Sequence, residues 1–119
     1  MTASSTNGGR RVLVVEDEML ISMLIETILT NAGYDVEVVT SIPQALAAID
    51  GARPDAAILD LNLAGKKVYP VAERLTEDGI PFAFATGGGH DFADYPGRPW
   101  VGKPFQEHEL LKVIGELLP

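Results

Sequence analysis

From Arg11 onward, short apolar runs alternate with longer segments in which apolar residues recur at helical spacing. A βαβα rhythm of this kind predicts an α/β fold with a five-stranded parallel sheet, because each parallel connection must travel back along the sheet before the next strand can start. The runs that read as strands are residues 12–15, 35–39, 56–59, 81–85 and a brief 100–101. Val12-Leu13-Val14-Val15 is apolar at every position instead of every second one, as suits a strand covered by helices on both faces.

The intervening segments carry helix punctuation. Leu20, Ile21, Leu24, Ile28 and Leu29 share one helical stripe that Gly33 terminates, with Asn31 just before it. Ser41 is placed to cap a second helix bearing Ala45, Leu46 and Ile49, and Pro43 sits in its first turn, where a missing N–H costs little. Val68, Val71, Ala72 and Leu75 mark a third helix ending near Gly79, and Leu110, Val113, Ile114 and Leu117 mark the last. Between Gly87 and Pro99, three glycines, Pro96-Gly97 and Pro99 surround a short His90 to Tyr95 stretch, so any fourth helix is brief.

The chain has 119 residues, the size of one domain, with 46% apolar and 22% charged residues, a globular balance. Residues 1–10 are polar and aperiodic and read as a disordered leader or expression remnant, which leaves 11–119 as the domain. No apolar run approaches the roughly 18 to 20 residues that span a bilayer, and no signal peptide is visible, so a cytoplasmic location without membrane contact is expected. With no cysteine, zinc thiolates, disulfides and thiol chemistry are excluded. A formal net charge of -8 argues against nucleic acid as a direct partner, since both would be polyanions.

Ligands of open parallel sheets bind beyond the carboxyl ends of the strands, so the polar residues are best sorted by strand end. The first strand runs into Glu16-Asp17, the third into Asp60, the fourth into Thr86 and the fifth toward Lys103. Carboxylates with waters and a backbone carbonyl make the hard oxygen environment that Mg2+ prefers. Asp60 is the candidate nucleophile for a phosphoryl group, a transfer that asks mainly for an in-line oxygen and for neutralisation of charge, which Mg2+, Lys103 and Thr86 are suited to provide.

Val15-Glu16-Asp17-Glu18, Leu59-Asp60-Leu61-Asn62, Ala85-Thr86-Gly87 and Lys103-Pro104-Phe105 together resemble the motif set of response regulator receiver domains, in order and across residues 11–118. The resemblance implies a flavodoxin-like, doubly wound (βα)5 fold with strand order 2-1-3-4-5. It implies that Glu16 and Asp17 hold Mg2+, that Asp60 accepts the phosphoryl group and contributes to the metal site, and that Asn62 adds a backbone carbonyl ligand. It further implies that Thr86 bonds a phosphoryl oxygen, that Lys103 pairs with the phosphate, and that the Lys103–Pro104 peptide is cis.

Gly79-Ile80-Pro81-Phe82-Ala83-Phe84-Ala85-Thr86-Gly87 is similar to the signature of alphaproteobacterial stand-alone receivers, as are Asn62-Leu63-Ala64-Gly65 and Val68-Tyr69-Pro70-Val71. This subgroup resemblance implies a sensor histidine kinase of the HWE type as phosphodonor, and signalling by protein–protein binding or action as a phosphate sink, with self-phosphorylation and autodephosphorylation the only enzymatic activities. The chain departs from the pattern in three places: the signature tyrosine gives way to Gly88 and Gly89, Ala64-Gly65 stands where Pro-Gly is usual, and Trp100 holds the aromatic switch position.

Each residue also has a plainer reading. Glu16 and Asp17 could cap the first helix, Asp60 could be a turn residue, Thr86 could bond local backbone, and Lys103 could be a solvated charge. His90 and His108 read as surface residues, Trp100 as filling or as a switch, and the broad apolar face of the last helix, with Leu111 and Leu118, as core or docking surface. The Gly87 to Pro99 stretch is expected to be mobile and ordered by phosphorylation. Two other functions fit the same architecture. A haloacid-dehalogenase-like phosphatase needs a second acid where Asn62 stands, and a flavodoxin-like FMN carrier needs a phosphate cradle where Glu16-Asp17-Glu18 would repel the ligand.

Overall fold

The computed structural model describes residues 9–87, 95 and 98–119. Among the described residues, seven strands and four helices follow in chain order: β1 Arg11–Val15, α1 Met19–Asn31, β2 Asp35–Val39, α2 Ile42–Gly51, β3 Ala56–Asp60, β4 Asn62–Leu63, β5 Lys66–Lys67, α3 Tyr69–Glu77, β6 Phe82–Thr86, β7 Trp100–Gly102 and α4 Glu107–Leu117. Five of the strands form one parallel sheet in the order β2-β1-β3-β6-β7. Counting only those five, this is the order 2-1-3-4-5 of a doubly wound, flavodoxin-like sheet. The short β4 and β5 pair antiparallel as a separate hairpin, which the sequence did not announce.

Side-chain alternation divides the core in two. Leu13, Val15, Ala57, Leu59, Phe82 and Phe84 pack with α2 and α3, whereas Val12, Val14, Ala56, Ile58, Ala83 and Ala85 pack with α1 and α4. Apolar residues are therefore needed at every position of the central strands, and burying a side chain such as Phe82 or Phe84 contributes about 1.5–3 kcal/mol. Leu111 and Leu118 also pack against the α1 and α4 core, so the wide apolar face of the last helix is largely used in folding.

Helix ends follow the expected chemistry. After α1 and again after α3, a glycine takes a left-handed conformation, Gly33 at φ 97° and Gly79 at φ 71°. The next residue then donates back into the last turn, Tyr34 to Leu29 O and Ile80 to Leu75 O, closing a Schellman cap at both sites. Ser41 caps α2 by accepting the Gln44 N–H at 3.2 Å. The Lys103–Pro104 peptide is cis. The brief fourth helix considered for residues 90–95, His90, the glycines at 88 and 89 and the residue 1–8 leader lie outside the described residues, as does most of the 87–99 stretch. No helix among the described residues is long and apolar enough to cross a membrane.

Candidate functional site

The chain leaves β1 into α1 on one face of the sheet and its neighbour β3 toward α3 on the other, which opens a crevice between their carboxyl ends. Four of the predicted residues arrive there from strand ends. Glu16 extends the ladder past β1 by donating its N–H to Val39 O at 3.0 Å. Asp60 is the last residue of β3, and Thr86 the last of β6. Lys103 follows β7, and its N–H donates to the Thr86 carbonyl at 2.8 Å, which keeps the edge strand paired up to that residue.

Strand parity explains which side chains meet. Glu16, Asp60 and Lys103 continue the alternation of Val14, Ile58 and Val101, all on the α1 and α4 side, whereas Thr86 continues that of Phe84 on the opposite side. One ammonium therefore reaches two acids: Lys103 Nζ lies 2.8 Å from Glu16 Oε1 and 3.3 Å from Asp60 Oδ1. Glu18 Oε1 stands further off, at 3.9 Å. Glu16 and Asp60 are only 1% and 6% exposed, so this single cation partly compensates two buried negative charges.

The electrostatic cost shows in Asp60, whose pKa is pushed up from 3.8 to about 7, first by burial and then by the Glu16 charge, with Lys103 opposing. For Lys103, burial disfavours the ammonium, but the bonds and charges of Glu16 and Asp60 outweigh it, so its pKa is raised as well. The site as it stands holds more negative than positive charge in little water.

Asp17 completes the acid set from the exposed side. One carboxylate oxygen from each of Glu16, Asp17 and Asp60 falls within 4.8 Å of the others. Three hard oxygen donors at that spacing suit a divalent cation such as Mg2+, which would relieve the charge imbalance. Asn62 joins through its backbone, its N–H donating to Asp60 Oδ1 at 3.3 Å. Thr86 is buried, 5% exposed, at the neighbouring strand end and is tied to Lys103 through its carbonyl. Glu16 and Asp17 do not cap α1: its N-cap is Glu18, which makes no side-chain cap bond.

Two residues at this edge escaped sequence reasoning. Glu18 approaches Lys103, which its place beside Glu16-Asp17 could have suggested. The backbone of Ala64 donates to Asp17 Oδ2 at 3.1 Å, and the only hint in the sequence is the absence of proline at that position. His108 is exposed, and Trp100 is 41% exposed on the edge strand β7.

A doubly wound sheet with a strand-end aspartate beside a lysine and further acids defines the receiver class of two-component signalling modules. This chain belongs to the response regulator receiver domain family, whose pattern matches residues 12–115. The DNA-binding response regulator MtrA of Mycobacterium tuberculosis is 31% identical over 112 residues, covering 86% of this chain and 47% of MtrA. The chain thus spans about half the length of the curated relatives it matches. The solution structure of SdrG from Sphingomonas melonis Fr1 is similar over 92% of this chain and 97% of SdrG, at 41% identity and a TM-score of 0.80. The BeF3-activated conformation of SdrG from Pseudomonas melonis Fr1 matches with a TM-score of 0.79 and 40% identity, over 92% of this chain and 96% of that one.

Proposed function

We propose that this receiver domain accepts a phosphoryl group on Asp60 from a sensor histidine kinase in a Mg2+-dependent reaction. The observation that carries the reading is the Lys103 ammonium set against both Glu16 and Asp60, with Asp17 close enough to share a cation with them. In the transfer, the P–N bond of a phosphohistidine breaks, a P–O bond to the Asp60 carboxylate forms, and the imidazole keeps the electron pair. Glu16, Asp17, Asp60 and the Asn62 backbone carbonyl would hold Mg2+, which supplies charge neutralisation for the phosphoryl oxygens.

The remaining work falls to the protein's own groups. Asp60 must be ionised to attack, and its elevated pKa means that positive charge nearby is required to favour that state at neutral pH. Lys103 provides part of that charge and is positioned to follow it onto a phosphoryl oxygen. Thr86 donates its hydroxyl to another. The domain then signals by protein–protein binding or drains phosphate from a competing partner, with autodephosphorylation resetting it. An HWE-type kinase as donor rests on the subgroup motif around Phe84-Ala85-Thr86-Gly87. A cytoplasmic setting and the absence of direct nucleic-acid binding rest on the net charge of -8 and the lack of a membrane segment in the sequence.

Beryllofluoride, a tetrahedral anion of phosphoryl size, tests the site without turnover. In nuclear magnetic resonance titrations with Mg2+ present, shifts should converge on Asp60, Thr86 and Lys103 and vanish in Asp60→Asn. Shifts that persist in that variant, or that gather elsewhere, would remove the assignment.

A further inference from the structure

The hairpin formed by β4 and β5 turns on Ala64 and Gly65, both at positive φ, 52° and 81°. Two central residues with positive φ make the type I′ turn that matches strand twist, and asparagine or glycine normally fills its first position. Alanine there is strained, because Cβ crowds the backbone in the left-handed region. The turn is nonetheless held firmly. Leu61, Leu63 and Val68 around it are buried at 1%, 2% and 0% exposure, and the Val68 N–H donates to Leu61 O at 3.0 Å. The hairpin's rigid tip delivers one polar group to the acid cluster: the Ala64 N–H, donating to Asp17 Oδ2 at 3.1 Å.

We propose that Ala64 is a positioning residue that fixes the Asp17 carboxylate for cation binding through its backbone N–H. This inference rests on the functional reading above. Asp17 is exposed and belongs to no strand, so nothing in the sheet restricts its side chain as burial restricts Glu16 and Asp60. A carboxylate free to rotate must be ordered when it binds a cation, and a preformed hydrogen bond removes part of that cost. Groups that orient metal ligands from outside the coordination sphere typically change affinity by about 10–100-fold when removed. The identity of residue 64 then has a chemical meaning. Proline, the residue usual at this position in receivers, has no N–H and a fixed negative φ, so it could neither make this bond nor adopt this turn. The strained alanine retains the donor.

Calorimetric titration of Mg2+ into the wild type, Ala64→Gly and Ala64→Pro provides the test. Ala64→Gly keeps the amide and accepts positive φ, whereas Ala64→Pro loses both. The Kd for Mg2+ should weaken about tenfold in Ala64→Pro and be retained in Ala64→Gly; equal values in all three overturn the inference. A wild type that binds no Mg2+ sinks the functional reading, and this one with it. Since proline also disturbs the turn, amide exchange at Ala64 provides an arm independent of folding and of metal. Exchange should be at least about tenfold faster in Asp17→Ala than in the wild type, and equal exchange in the two overturns the proposal.

Discussion

Lys103 Nζ lies 2.8 Å from Glu16 Oε1, which joins the turn after the last strand to the end of the first. Both residues extend their strands by one hydrogen-bonded step, Glu16 onto Val39 and Lys103 onto Thr86, so the contact is a product of sheet register and not of flexible side chains meeting by chance. Asp60 arrives from β3, one of the two strands between them. The charge balance of these three residues, two acids and one ammonium, underlies most of what the domain should do in solution.

Removing the ammonium should be costly. Lys103→Met is expected to destabilise the metal-free domain by about 3 kcal/mol at pH 8, because truncating one partner of a buried pair leaves the other charge uncompensated. Urea unfolding measures it. The loss should shrink toward pH 5, where Asp60 is protonated.

Metal-free stability should depend on pH with a definite sign. The folded pKa of Asp60, about 7, is above its unfolded value of 3.8, so the folded state binds the proton more tightly. Its contribution is complete below pH 4 and is lost as pH rises through 7. After allowance for solvent screening the loss is about 2 kcal/mol. Asp60→Asn removes the titrating group, so this variant should be more stable than wild type at pH 8 by a similar amount and lose the slope; an unchanged slope in urea midpoints would contradict the assignment.

Mg2+ should reverse the penalty. At a hundred times its Kd it should stabilise the wild type by about 2.7 kcal/mol if it ignores the unfolded chain. Thermal unfolding with and without Mg2+ reports this directly, and a constant Tm would mean that the three acids do not act together on a cation.

The hairpin strain should be releasable. Ala64→Asn, which tolerates positive φ and keeps the N–H, is expected to add about 0.5–1 kcal/mol to stability. Ala64 is exposed, so the larger side chain displaces nothing in the core.

Much of this arrangement was legible from apolar runs and from what followed them. Runs apolar at every position identified the central strands, and the acids, hydroxyl and lysine just beyond them fell on one edge. The runs ended too early, however: β3 and β6 extend through Asp60 and Thr86, because ladder hydrogen bonds continue after side chains turn polar. The β4–β5 hairpin was invisible, since two-residue strands have no measurable period and Ala64 gives no turn signal. Nor could spacing reveal that Glu16, Asp60 and Lys103 share one strand parity while Thr86 has the other, which fixes the ammonium between the first two. Acids crowded at one edge already foretell a raised carboxyl pKa, but that burial is the larger cause at Asp60 lay beyond reach.

Phosphorylation itself is the most direct measurement. Wild-type protein incubated with acetyl phosphate and Mg2+ should gain one phosphoryl mass, located by peptide mapping on the segment containing Asp60, with no gain in Asp60→Asn or when Mg2+ is chelated. A mass increment mapped to another residue, or retained in Asp60→Asn, would contradict the account.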